Sequence, residues 1–341
     1  MKGLLARSGV AVLGLSLVAL VAQSAPQGVV AAARAPSAAV VAQARANFVK
    51  TMSAHSTMVR KGGWVSPGVK HTSTAKTTNG TVSSMPSVNW SGFADSETTA
   101  GQTVTSASGN WTIPSVRCLP HPYQNQDAFL ANWVGIDGLT NGTVEQLGTA
   151  TQCFEGVEYY YVWYEMYPAG TVEEGTAACI NNNVNCPQPG DRVSASVNVT
   201  PGTGGNNNYV LKLTDHTRPQ ESFSISQQCA ATTCLDSSAE WIIERPAVQP
   251  SFGVQILPLA DFTATGFTRG NLVAGGVSSS IQGFKGSVFN ISMNDDTDSY
   301  YLDCVGQTQR PGKLLQVSPN QCPVVAPHGD GQFYALWDSG F

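Results

Sequence analysis

From its residue 88 onward the chain reads as an all-β protein, and three observations support this. Short stretches alternate apolar and polar residues, or gather β-branched and aromatic ones, at the period of a strand. Gly, Pro, Asn and Asp punctuate those stretches at close intervals. No helical period of convincing length and no internal repeat interrupts the series. Together these predict an antiparallel two-sheet β-sandwich of the jelly-roll type rather than an α/β fold.

The elements follow in order along the 341 residues. The start, "MKGLLARSGVAVLGLSLVALVAQSA", places Lys2 and Arg7 before an apolar run from about Val10 to Ala22 and then small residues. That is the layout of a secretory signal over 1–24, with cleavage near Ser24 or Ala25. The run is shorter than the roughly 20 apolar residues a spanning helix needs. No membrane attachment is therefore expected after cleavage, and the protein is expected to be secreted. Residues 25–84 read as a basic propeptide and linker. Ser37 caps an expected helix through about Met52, with Val41, Ala44, Phe48 and Met52 on one face. The stretch "SPGVKHTSTAKTTNGTVSS" after it is loop-like throughout. Residues 85–341 form the sandwich domain. Its expected strands include "GQTVTSASGNWTIPSV", "EYYYVWYEMY", "DRVSASVNVT", "NYVLKLTD", "ESFSISQQ" and "GSVFNISM".

Charge separates the same two parts. Residues 1–84 hold nine Lys or Arg and no Asp or Glu; residues 85–341 hold nine basic and all 23 acidic residues, a formal −14. Opposite charge on adjoining segments implies that one docks on the other. The acidic part repels phosphates and carries no Gly-rich phosphate loop or basic aromatic patch, which excludes nucleic acid as a partner. Six Asn-x-Ser/Thr sites (Asn79, Asn89, Asn110, Asn141, Asn198, Asn290) permit glycans if the host glycosylates.

All eight cysteines lie in the acidic part. An even number in an exported chain points to disulfides, although 105 pairings are possible. Short loops favour Cys179–Cys186 and Cys229–Cys234, with Cys118–Cys153 and Cys304–Cys322 completing the set. Zinc is the weaker reading, because there is no CxxC pair and no HExxH. No metal or other cofactor is expected. There is no GxSxG elbow, and the single "DSG" at 338–340 lacks the second aspartate an aspartic peptidase needs.

Polar residues inside aromatic strands are what remain. "SAEWIIERP" puts Glu240 beside Trp241. Alternation places Glu240, Ile242 and Glu244 on one side of the strand and Ala239, Trp241 and Ile243 on the other. "FLANWVGIDGLTNGTVEQLGT" carries Trp133, Asp137, Glu145 and Gln146. "YYYVWYEMYPAG" puts Glu165 on the face of Trp163 and Tyr167. Glu145, Glu158 and Glu244 read as hydrogen-bonded or surface groups, and Glu165 as a group orienting a binding wall.

In order, "VNWSGF", "GNWTIP", "NWVGIDG", "EQLG", "WYEMYP", "PGDRVSASV", "SAEWIIERP" and "LADFTATGFT" resemble the glutamic peptidases (eqolisins), acid proteases with a concanavalin-like β-sandwich. The resemblance runs along almost all of 88–341. It implies a catalytic pair at Gln146 and Glu240, with Trp90, Trp133, Asp137, Glu165 and Tyr167 around or supporting the cleft. It implies an acid endopeptidase acting on polypeptides. A secreted monomer whose own propeptide acts as an intramolecular inhibitor is also expected. Where many fungal members read Leu-Gln-Thr-Gly, this chain reads Glu145-Gln146-Leu147-Gly148. A sandwich glycosidase using Glu165 and Glu240, and a carbohydrate-binding module, are the alternatives.

Overall fold

The computed structural model describes residues 36–54, 74–76, 81–96, 102–118, 128–139, 141–175, 186–202, 206–230, 234–248, 255–281, 287–294, 301–306 and 332–337. The expected signal over 1–24 lies outside them. No helix among the described residues is long and apolar enough to cross a membrane.

In chain order the elements are α1 (Ala38–Ala54), β1 (Thr74–Lys76), β2 (Thr81–Ser87), β3 (Trp90–Ser96), β4 (Val104–Thr112), β5 (Val116–Arg117), β6 (Ala128–Ile136) and β7 (Val144–Phe154). Then come β8 (Val157–Tyr167), β9 (Thr171–Glu174), β10 (Arg192–Thr200), β11 (Asn208–Asp215), β12 (Phe223–Gln228), β13 (Ser238–Glu244) and β14 (Ala247–Val248). The last are β15 (Gln255–Ile256), β16 (Asp261–Phe262), β17 (Thr265–Ala274), β18 (Val277–Ser280), β19 (Ser287–Asn294), β20 (Tyr301–Gly306) and β21 (Phe333–Trp337).

A first sheet runs β9-β8-β7-β6-β13-β3-β19-β2-β1, antiparallel except for β19 with β2. A second runs β12-β11-β10-β4-β17, with β18 and β21 both on the far edge of β17. β20 pairs with both β21 and β19 and so links the two sheets. This is the predicted two-sheet β-sandwich. The longest hairpin, β7–β8, turns at Glu155 and Gly156, whose φ values of 51° and 76° suit a two-residue loop matched to strand twist.

Two buried apolar layers result. Between the sheets lie Val134, Leu147, Trp241, Trp111, Val193 and Leu211 among others. Two indoles bond the sheets across this layer: Trp241 Nε1 donates to Ser108 O (2.7 Å) and Trp111 Nε1 to Thr149 Oγ1 (2.9 Å). The second layer lies on the opposite face of the first sheet and includes Trp90, Trp133, Trp163, Tyr161 and Ile242. α1 packs there. Its predicted face is borne out at Ala44 and Phe48, both fully buried, with Val41 packed beside them; the side chain of Met52 lies outside the described residues.

The stretch expected to be loop throughout contains β1 and the start of β2. Alternation in Thr81-Val82-Ser83 buries Val82, and the open edge of β19 supplies parallel hydrogen bonds. The strand thereby crosses from the expected linker into the sandwich. Cys118–Cys153 and Cys229–Cys234 are bonded as expected. Cys186 is also disulfide-bonded; its expected partner Cys179, like Cys322, lies outside the described residues. Asn89 and Asn290 are fully buried, so neither can carry a glycan in the folded protein.

Candidate active site

Strand register assembles a row that no single segment contains. Ala94, Glu240, Gly135, Gln146, Glu165 and Thr171 are successive cross-strand partners over β3, β13, β6, β7, β8 and β9. Directly opposed residues share a face, and this one is the face turned away from the layer between the sheets. Glu240 and Gln146 are two strand spacings apart, about 9–10 Å between backbones. Only a glycine separates them. A Cβ at Gly135 would stand 2.9 Å from Trp133 Cζ3 and 3.2 Å from Gln146 Cβ. The missing side chain lets the Trp133 ring and Gln146 close over the backbone between the carboxyl and the amide.

Glu240 is fully buried, and neither carboxyl oxygen has a hydrogen-bond partner of sound geometry among the described residues. Burial pushes its pKa well above the usual carboxylate range. The neighbouring Ser238 hydroxyl moderates the rise, and the charges of Asp137 and Asp95 add to it. Gln146 is oriented from the other side. Its Nε2 donates to Glu165 Oε2 at 2.8 Å, and Thr171 Oγ1 donates to Glu165 Oε1 at 3.2 Å. A primary amide has two N–H groups, so this bond fixes the plane in which the second one points.

Aromatic residues wall the row. Trp133 lies two residues before Gly135 on the same face. Its Nε1 donates to Glu244 Oε2 (2.7 Å), and Asn89 Nδ2 holds Glu244 Oε1 (3.2 Å). Trp90 meets Trp133 edge to face at 4.9 Å. Tyr167, opposite Val144, packs against the same layer. Asp137 is used differently. Its carboxylate accepts the backbone N–H groups of Leu235, Asp236 and Ser237 and the hydroxyl of Ser237, at 2.8–2.9 Å. It thus anchors the segment that leads into β13 and Glu240.

Two groups read as bland in the sequence matter to this geometry. Glu244, which shares the strand face of Glu240, is buried and orients Trp133. Glu145, on the opposite face from Gln146, is buried beside Asp137 and Asp236 and has its pKa raised well above the usual value, by burial first and then by those charges. Its Oε1 lies 3.0 Å from Sγ of Cys234. That sulfur is in a disulfide and has no proton to donate. The contact is therefore a hydrogen bond only when Glu145 is the protonated donor. Among the described residues no cluster of three His, Cys, Asp or Glu side chains is arranged to hold a metal ion.

α1 lies on the same face. Phe48 stacks on Tyr161 with ring centroids 4.0 Å apart and planes 3° from parallel. Arg45 pairs with Glu173, which is two residues along β9 from Thr171 in the row.

Residues 88–309 match the model of the Peptidase A4 family. Among solved structures, scytalido-glutamic peptidase with a transition state analog inhibitor is similar in fold (TM-score 0.51, 21% identity, 74% of this chain and 98% of that one). Aspergilloglutamic peptidase from Aspergillus niger aligns at 19% identity over 62% of this chain and 99% of that one, with a TM-score of 0.37. Among curated proteins nothing matches the chain.

Proposed function

Because the chain belongs to the Peptidase A4 family and is thus a glutamic-type peptidase acting on polypeptides, we propose that it is an acid endopeptidase in which Glu240 activates water and Gln146 stabilises the oxyanion. The observation that carries this reading is the row Glu240–Gly135–Gln146–Glu165. A substrate carbonyl lying over Gly135 meets a carboxylate on one side and an amide donor on the other. Glu240, ionised, takes a proton from the water as its oxygen attacks the carbonyl carbon. The second N–H of Gln146 donates to the oxygen that becomes negative. Glu240, now an acid, passes its proton to the leaving nitrogen as the C–N bond breaks. Glu165 is a positioning residue, which holds the Gln146 amide in plane. Trp133 and Trp90 form the wall against which the chain lies, with Tyr167 beside them. Asp137 holds the approach to β13.

Residues 25–84 act as an intramolecular inhibitor in this reading. α1 covers part of the face that bears the row, and Arg45 and Phe48 supply its charge and its stacking. Removal of residues 1–24 on export, and cleavage between α1 and β2 on activation, leave the sandwich from β2 onward as the secreted, monomeric enzyme.

The test is proteolysis of a denatured protein in acid by purified enzyme. Glu240→Gln and Gln146→Ala should each abolish turnover while leaving the melting temperature near that of the parent. Loss of one oxyanion donor costs about 10²–10³ in rate elsewhere. Near-normal turnover by Gln146→Ala would remove the mechanism, whereas hydrolysis of β-glucans dependent on Glu165 would favour a glycosidase.

A further inference from the structure

We propose that the outer face of the second sheet carries a site for an oxyanion, a sulfate or phosphate group either free or esterified on a small molecule, held by Arg192 and Arg269 with His216 beside them. A cavity of about 490 Å³ lies there, lined by Asn110, Thr112, Arg192, His216, Thr268 and Arg269 among others. Trp111 and Val193 point into the layer between the sheets, so alternation turns Asn110, Thr112 and Arg192 outward. The row of Gln146 and Glu240 faces out of the other sheet. The proposed site therefore stands apart from the catalytic reading and does not rest on it.

Charge singles this cavity out. Residues 85–341 carry nine basic residues against 23 acidic, and most described arginines of that part are committed. Arg117 pairs with Asp261, Arg218 with Asp191, and Arg245 Nε donates to Val88 O. Arg192 and Arg269 have no ion pair among the described residues, and both line the same cavity. Two guanidinium groups facing one space repel; an anion shared between them reverses the sign of that interaction.

The backbone aims these groups. β17 slips register against β4 between Thr268 and Asn271, and Arg269 inside that bulge holds φ at 54°. Bulges of this kind re-aim a side chain. His216 N–H donates to Arg192 O at 2.9 Å, and its ring Nε2 lies 2.8 Å from Ser194 Oγ. The imidazole is thereby fixed next to Arg192.

The class of ligand follows from the donors. Guanidinium forks bind oxyanions two bonds at a time. Carboxylates of ordinary pKa, about 4, lose their charge in acid, while a sulfate keeps its charge. The volume lies within the roughly 300–1,000 Å³ of small-molecule sites, and Asn110 and Thr112 offer neutral polar contacts to the rest of an ester.

Calorimetric titration of the full chain with sodium sulfate, and separately with glucose 6-sulfate, at matched ionic strength against chloride, tests the site. Saturable binding of one equivalent is expected with at least one probe, and the tighter probe assigns the free or the esterified form. In the Arg192→Gln/Arg269→Asn double variant Kd should weaken by at least about tenfold, the loss of one or more charge-assisted hydrogen bonds. Asparagine tolerates the positive φ at 269, and an unchanged melting temperature checks that the fold is kept. Lys212→Gln, at an exposed residue of β11 outside the cavity, should bind as the parent does. No saturable binding of either probe, equal affinity in the double variant, or equal loss in Lys212→Gln overturns the proposal.

Discussion

Single residues set the pH behaviour. Glu145 and Glu240 are both buried carboxyls whose pKa values are raised, chiefly by desolvation. The sign is the same for both. Each is neutral at no cost below its unfolded pKa, about 4.3, and the stability this represents is lost as pH rises through the raised folded value. Glu145 should therefore destabilise the fold toward neutrality. Glu145→Gln, which cannot ionise, should raise the melting temperature near pH 7 by several degrees and leave it within a degree or two at pH 3, since each tenfold change in proton affinity on folding is worth about 1.4 kcal/mol. A thermal scan at the two pH values decides this; equal changes at both would show that charge is not the cause. In the proposed mechanism Glu240 acts as the base, so kcat/KM should rise with pH in acid along a limb set above the ordinary glutamate value. Gly135 makes a third case. Gly135→Ala would press a methyl against Trp133 and Gln146. Turnover should fall at least about tenfold, with a loss of stability of about 1–3 kcal/mol.

At the scale of elements, α1 joins the face of the first sheet by two unlike contacts. Stacking of Phe48 on Tyr161 is insensitive to salt, whereas the Arg45–Glu173 pair is screened by it. Glu173 has its pKa raised by burial, with Arg45 pulling it down. The pair exists above that pKa and is lost as pH falls through it. A separate peptide of residues 25–84 should therefore inhibit mature enzyme tightly near neutrality and weakly in acid. Phe48→Ala in the peptide should weaken inhibition about tenfold or more at every pH, as expected for removing a buried aromatic side chain. Arg45→Gln should weaken it only at the higher pH and at low salt. Inhibition by the Arg45→Gln peptide that still fades in acid as the parent's does would place the pH dependence elsewhere.

At the scale of the molecule, residues 1–84 carry only basic charges, and residues 85–341 carry a formal −14. Falling pH reduces that charge as carboxylates pass through about 3.9–4.3, and any general attraction between the two parts should fade along with the Arg45–Glu173 pair. The precursor bearing Glu240→Gln should then remain uncut in acid on its own. It should be processed when active enzyme is added, as gel electrophoresis will report. Self-cleavage by that variant would separate processing from the proposed catalytic row.

Alternation is intrinsic to a strand, so the sequence alone determined which side of β13 carries Glu240, which side of β8 carries Glu165, and that α1 presents Ala44 and Phe48 together. The all-β class, the order of strands and the separation of charge were legible for the same reason: each depends on residues near one another in the chain. Neighbourhood across the sheet does not. Gln146 and Glu240 are flanked by Gly135 only because β13, β6 and β7 pair in one register, and hydrogen bonds between segments a hundred residues apart leave no local period. The burial of Glu145, the capture of β2 by β19, and the convergence of Arg192 and Arg269 on one cavity were decided the same way, by which surfaces meet when two sheets close on a shared core.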